Sequence, residues 1–234
     1  MAEHLDAVRR GRLLLNRLDR WLLDEVRPDL GQRVLDMGCG HGNLMALLAD
    51  RELVVGTDVD PKSVALVRDR FRANANMRAH VFDALQPPAQ ELIDYRVDTV
   101  ISLNVLEHIE RDNMVVRNLI QLFAWGKGAL ILIVPAFMGL YGPMDAALGH
   151  YRRYTKTSMR AILEPFGLRI RRQFYHNLAG AVGWWFAGRV LRHKIPPDGQ
   201  LTSFNRLVPL LAWIERRVRP PFGLSLVTVA TLSG

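Results

Sequence analysis

The sequence predicts a doubly wound α/β domain, and three observations carry that prediction. Short apolar runs alternate with amphipathic stretches between Arg33 and Val134; runs apolar throughout suit strands covered on both faces, as in a parallel sheet between two helical layers. A glycine turn, Gly38-Cys39-Gly40-His41-Gly42, follows the first such run, where a strand would hand over to a helix. Finally, 234 residues suffice for one such domain with insertions but not comfortably for two.

The elements follow in order. Residues 5–26 space Leu, Val and Trp at helical intervals around Arg and Asp, so one or two amphipathic helices precede Pro28 and make residues 1–30 an N-terminal helical cover. Strands are predicted at 34–37, 53–57, 79–82, 97–103 and 129–134, with helices at 43–49, 61–72 and 111–123 between them. After Pro135 the alternation breaks into a loop-rich stretch with Gly139, Gly142, Pro143 and Gly149. A long loop at the carboxyl end of a central strand is where such sheets bind ligands, which marks residues 136–156 as the substrate loop. A helix at 157–165 and an edge strand at 169–175 come next. Residues 178–220 then form an apolar and basic helical insertion before the last strand, 224–232.

Charge is unevenly distributed. Residues 150–219 hold 14 Lys and Arg against 3 Asp and Glu, a balance of +11, so the remaining chain carries −3 to give the total of +8. Such a region suits an anionic membrane surface, a phosphorylated substrate or nucleic acid. Within it Trp184, Trp185 and Phe186 are open to two readings, core packing or an interfacial anchor. Their apolar run is about a dozen residues long, short of the roughly 20 needed to cross a bilayer. Cys39, the sole cysteine, can form no internal disulfide and reads as a small buried filler. Met1 to Arg12 lacks the apolar centre of a signal peptide, so a cytoplasmic location is expected, with membrane association as the variant that the Trp pair suggests.

The glycine turn has a particular chemistry. Its G-x-G-x-G spacing differs from the G-x-G-x-x-G of dinucleotide binders, and Asp36 lies just before it, where a pyrophosphate would be repelled. A zwitterionic amino acid fits better: Asp36 toward an ammonium, the helix N-terminus toward a carboxylate. Some twenty residues on, Asp58 ends the second strand, placed for both hydroxyls of a ribose. Asp83 ends the third, where it can accept from an adenine amino group, and Asn104 closes the fourth near the amino-acid end. Together these point to S-adenosyl-L-methionine as the cofactor.

With Asp36, Gly38, Gly40, Asp58, Asp83 and the stretch Leu103-Asn104-Val105-Leu106-Glu107-His108-Ile109 in this order, residues 33–135 resemble the class I S-adenosylmethionine-dependent methyltransferases. The resemblance implies that family's Rossmann-like sheet and cofactor. Trp125-Gly126-Lys127-Gly128 departs from the Pro-Gly-Gly turn usual before its fifth strand. A narrower resemblance rests on Asn16-Arg17, Leu140-Tyr141-Gly142-Pro143, Leu148-Gly149-His150-Tyr151-Arg152-Arg153-Tyr154-Thr155, Gly183-Trp184-Trp185 and Pro221-Phe222-Gly223-Leu224-Ser225. It is to a bacterial methyltransferase group that occurs alone or fused to glycosyltransferases of the polyprenyl-phosphate sugar type; Leu15 stands where that group commonly has an aromatic.

The acceptor chemistry is read from the substrate loop. His150 is placed to take a proton near neutral pH, with His108 as the second candidate. Tyr151, Arg152, Arg153 and Tyr154 are candidate acceptor ligands, the arginines for an acidic or phosphate group. No metal is expected. The resulting expectation is O-methylation of a small-molecule or lipid-linked acceptor. Its alternative is a non-catalytic module that keeps the fold and partners a glycosyltransferase. Nucleic acid ranks last as a substrate, because the fourth strand lacks an Asn-Pro-Pro-Tyr type motif.

Overall fold

The computed structural model describes residues 16–123, 128–191 and 198–232. Residues 1–15 of the N-terminal cover and the departure at 125–127 lie outside them. Seven strands form one sheet: β1 (Arg33–Met37), β2 (Leu53–Asp58), β3 (Met77–Val81), β4 (Thr99–Leu103), β5 (Gly128–Pro135), β6 (Leu168–His176) and β7 (Ser225–Leu232). Their order is β3-β2-β1-β4-β5-β7-β6. The first five are parallel, whereas β7 runs antiparallel between β5 and β6. All seven predicted strands are present, and β6 is an edge strand as expected.

The helices are α1 (Asn16–Val26), α2 (Asn43–Leu47), α3 (Pro61–Arg70), α4 (Gln90–Asp94), α5 (Asp112–Leu119), α6 (Pro143–Leu148), α7 (Lys156–Leu163), α8 (Leu178–Trp185) and α9 (Asp198–Val218). Successive strand residues face opposite helical layers. Leu35, Val55, Val100, Leu130 and Leu132 pack on one side with Val115, Leu119, Met159 and Leu163 of α5 and α7. Val34, Val54, Ile101, Ile131 and Val229 pack on the other with Leu22 and Val26 of α1, Met45 of α2, Val64 of α3, and Val208 and Ala212 of α9. Two cores explain why the parallel strands read as unbroken apolar runs.

Two short helices were not expected from the sequence. α4 is one turn and carries little periodicity. α6 interrupts the substrate loop; Pro143 opens it, and the Asp145 carboxylate accepts from the Gly142 N–H at 3.0 Å, so the Gly-Pro pair starts a helix rather than a turn. The 178–220 insertion comprises α8, one π-helical turn over Phe186–Val190, and α9. α9 lies along α1: Arg17 N–H donates to Asn205 Oδ1 (3.1 Å), and Asn205 Nδ2 to Asn16 Oδ1 (3.0 Å). Among the described residues no helix is long and apolar enough to cross a membrane.

Candidate functional site

The carboxyl ends of β1, β2 and β4 converge on the glycine turn. Gly38, Gly40 and Gly42 all have positive φ, at 78°, 50° and 75°, a conformation that costs a side-chain-bearing residue about 1 kcal/mol or more. The turn is anchored to β2, since Gly38 and Cys39 N–H donate to the Thr57 carbonyl at 2.7 and 2.9 Å. A Cβ on Gly38 would meet Val105 Cγ2 at 2.3 Å, whereas one on Gly40 would meet nothing within 4 Å. Gly38 is therefore required by packing against the β4 turn, and Gly40 borders open space.

Asp58 joins the two sides of that space. Its Oδ2 accepts from Gly40 N–H and its Oδ1 from Asp60 N–H, both at 2.9 Å, so the carboxylate is held in one orientation while part of it stays solvent-accessible. Asp36, the penultimate residue of β1, is buried. Asp83 is exposed, and its Oδ1 accepts from Leu85 N–H at 2.9 Å, a local side-chain turn that orients the group. Asn104 ends β4 with φ 54° and donates its N–H to the Ile133 carbonyl at 2.8 Å; Asn is among the few residues that adopt this backbone readily. Cys39 is buried, and desolvation together with Asp36 and Asp58 pushes its thiol well up, which makes it inert, as expected of a filler.

A second constellation lies past β4. His150 is largely enclosed, and its Nδ1 is 2.8 Å from Asp145 Oδ1. Asp145 is fully buried and also accepts from Arg153 Nε (2.8 Å), Arg153 Nη2 (3.1 Å) and Trp184 Nε1 (3.2 Å). Burial pushes its carboxyl up, but the hydrogen bonds from His150 and Arg153 outweigh this and hold it below the ordinary value. An ionised carboxylate can only accept, so Nδ1 of His150 carries the proton that faces Asp145. His150 Nε2 is 3.9 Å from Glu107 Oε1, on the turn after β4. Tyr151 N–H ties the loop to that turn by donating to the Glu107 carbonyl at 2.8 Å.

His108 stands edge-on to His150 with ring centroids 4.7 Å apart. Its pKa is pushed down to about 4, first by desolvation and then by the His150 charge, although part of the residue remains open to solvent. Glu107, His108 and His150 each offer a ligand atom within 4.8 Å of the others, a spacing that a divalent cation could use.

The expected acceptor ligands separate into two groups. Tyr151 is 55% exposed at the loop surface. Arg152 is half-open but paired, donating to Asp112 Oδ2 at 2.9 Å and to the Glu110 carbonyl at 2.8 Å. Arg153 and Tyr154 are both enclosed within the protein. Arg153 is held by Asp145 and the Ala136 carbonyl (3.1 Å). Tyr154 donates to Asp112 Oδ2 at 3.0 Å, its hydroxyl pKa driven far up by desolvation and by Asp112. Their basic and aromatic types read as ligands in the sequence, yet the parallel bridge between Ala136 and Tyr154 turns this end of the loop inward. Asp145, the residue that organises the site, was not singled out; its available signal was its place three residues into a helix opened by Gly142-Pro143.

Residues 34–126 match a methyltransferase domain family. The chain is 27% identical over 203 residues to an uncharacterised methyltransferase of Mycobacterium leprae, covering 83% of this chain and 69% of that one. It is 38% identical over 87 residues to a ubiquinone biosynthesis O-methyltransferase of Azorhizobium caulinodans, covering 36% and 33% of the two chains. In structure it resembles a TehB-like S-adenosylmethionine-dependent methyltransferase of Corynebacterium glutamicum, with TM-score 0.60, 18% identity and 99% of each chain covered. The open face of Gly40 beside the fixed carboxylate of Asp58 leaves room for a ligand at this turn.

Proposed function

We propose that this S-adenosylmethionine-dependent methyltransferase delivers its methyl group to a hydroxyl oxygen of a small-molecule or lipid-linked acceptor, with His150 as the base or orienting group. The observation that carries the reading is the pair His150–Asp145, 2.8 Å apart and tied to the turn after β4. The bound cofactor supplies an electrophilic methyl group on a sulfonium. The chain's part is to hold the acceptor oxygen in line and to receive its proton. His150 Nε2, the only basic nitrogen of that ring once Nδ1–H is given to Asp145, is suited to the second task. Holding the reactants together can supply most of the acceleration. Of the expected acceptor ligands, Tyr151 and the open side of Arg152 remain in the proposal. Asp36, Gly38, Gly40, Asp58, Asp83 and Asn104 are proposed to line the cofactor.

The partial match to an O-methyltransferase supports oxygen as the acceptor atom. The test is mass spectrometry of polar and lipid extracts incubated with the enzyme and methyl-labelled S-adenosylmethionine. A labelled methyl ether or ester is expected; label found only on nitrogen or carbon would overturn the reading. A non-catalytic module is disfavoured, because it would need neither the intact glycine turn nor a buried His–Asp pair.

Glu107, His108 and His150 favour a second reading, in which a divalent cation lowers the pKa of the acceptor hydroxyl. Exhaustive treatment with a chelator separates the two. Turnover is expected to persist; loss restored by a divalent ion would favour the cation.

Asp58→Ala is expected to weaken S-adenosylmethionine binding by at least about tenfold, since hydrogen bonds to a charged acceptor contribute roughly 1.5–3 kcal/mol each. Titration calorimetry checks this; unchanged affinity would remove Asp58 from the cofactor site.

A further inference from the structure

The insertion after β6 carries apolar side chains that no other described residue buries. On α8 and the turn that follows, Ala181 and Ala187 face inward, whereas Val182, Trp185 and Phe186 are 58%, 48% and 49% exposed. On α9, Val208 and Ala212 enter the core while Leu207, Leu210 and Ile214 are 54%, 57% and 42% exposed. The intervals of three and four residues put each set on one stripe of its helix. Single exposed apolar residues are ordinary, but two stripes in one insertion are a feature of interaction surfaces.

The charges around these stripes are positive. Residues 199–219 contain Arg206, Arg216, Arg217 and Arg219 against the single acid Glu215. Glu215 is turned inward, accepting from the Asn177 and Leu178 N–H groups at the start of α8. Arg216 is paired with Glu25 at 3.1 Å, but Arg206 and Arg217 remain exposed. Both lie along one edge of the Leu207–Leu210–Ile214 stripe, within a quarter-turn of Leu210 around the helix axis. Arg217 also lies over the ring of Trp213, its guanidinium carbon 3.9 Å from the centroid. An apolar stripe edged by arginine, with an aromatic beside it, is the pattern of a helix lying in the headgroup region of a bilayer. A second copy of this chain would bring the same positive edge against itself, which opposes self-association through this face.

We propose that α8 and α9 dock this enzyme on an anionic lipid surface, with Trp185, Phe186 and the Leu210–Ile214 stripe entering the interface and Arg206 and Arg217 meeting lipid phosphates. The docking element is coupled to the site: Trp184, next to Trp185, donates to Asp145, and Gly188 lies against Met144 of α6, a Cβ there falling 3.4 Å from Met144 Cε. A bilayer against α8 would therefore lie beside the substrate loop. An acceptor with a lipid tail would reach His150 without leaving the membrane. The docking itself does not depend on which acceptor is used.

The test is co-sedimentation of the full chain, without acceptor, with phosphatidylcholine vesicles that contain or lack phosphatidylglycerol. Binding to the anionic vesicles is expected, weakening as salt rises. Trp185→Gln/Phe186→Gln or Leu210→Gln/Ile214→Gln should lower the partition coefficient at least tenfold. Thermal melting and S-adenosylmethionine binding of each double variant should stay near wild type, which separates docking from folding. Vesicles with brominated acyl chains should quench the tryptophan fluorescence of the wild type, and less so that of Trp185→Phe. No binding to anionic vesicles at low salt, or binding unchanged in both double variants, would overturn the proposal. So would a concentration-dependent dimer, abolished by the same variants, in the absence of vesicle binding.

Discussion

His150→Ala is expected to lower turnover by roughly 100-fold or more while leaving S-adenosylmethionine affinity near wild type, because loss of a general base typically costs 10²–10⁴ in rate. His150 stands on the substrate loop, across the turn after β4 from the glycine turn, and its Nδ1 is committed to Asp145. Its removal should therefore affect the chemical step and not cofactor binding. His150→Gln keeps a hydrogen-bonding group without a base; recovery of most of the turnover by Gln would assign His150 to orienting the acceptor, and failure to recover it would assign proton removal. Loss of cofactor binding in either variant would instead mean that the loop is structural. With normal turnover on the true acceptor, the proton must leave by another route, with His108 next in line. His108, whose pKa is pushed down to about 4, is neutral at pH 7 and available as an acceptor, but a base so weak would drive proton transfer poorly.

Asp145→Ala is expected to destabilise the protein by about 3–5 kcal/mol, the cost of breaking a buried ion pair from one side. Arg153, itself buried, would lose Asp145 as the counter-charge that faces its Nε and Nη2. The His150 ring would lose the group that fixes its tautomer, and Trp184 Nε1 its acceptor. Chemical denaturation should show the loss. Replacing both members, Asp145→Leu with Arg153→Met, should recover much of the stability but not the turnover, since the His150 orientation would still be gone. Equal stability of Asp145→Ala and wild type would mean that solvent reaches Arg153. The same pair sets an acid dependence. The folded pKa of Asp145 is depressed, so its contribution is complete above the unfolded value of about 3.9 and is lost as pH falls from there through the folded value.

The parts of this protein that were legible in its sequence share a physical origin. Strands β1, β2, β4 and β5 announce themselves because a strand covered on both faces must be largely apolar. The glycine turn is visible because positive φ and close approach leave little choice of residue. Asp58 could be placed because it ends a strand next to the one bearing that turn, a position set by topology. α4 was missed because a single turn has no period to detect, and α6 because Gly142-Pro143 serves equally for a turn and for a helix start.

What only tertiary structure decided was the use made of polar side chains in the substrate loop. His150, Tyr151, Arg152, Arg153 and Tyr154 are five consecutive residues with hydrogen-bonding side chains, indistinguishable by type as ligands for a substrate. In the fold, Arg153 and Tyr154 are closed off by Asp145 and Asp112, Arg152 is shared between Asp112 and solvent, and His150 turns Nδ1 to Asp145 and leaves Nε2 on its other side. The reason is that burial of a charge or hydroxyl requires a partner, and those partners come from α5 and α6, distant in sequence or in an unrecognised helix. Likewise composition determined that the region before β7 is basic and apolar, but whether Trp184 and Trp185 point inward or outward depends on the packing of α8. The sequence by itself determined the sheet and the glycine turn, because backbone geometry constrains residue type locally. The three-dimensional contacts chose which of the polar residues are enclosed and which stay open to solvent.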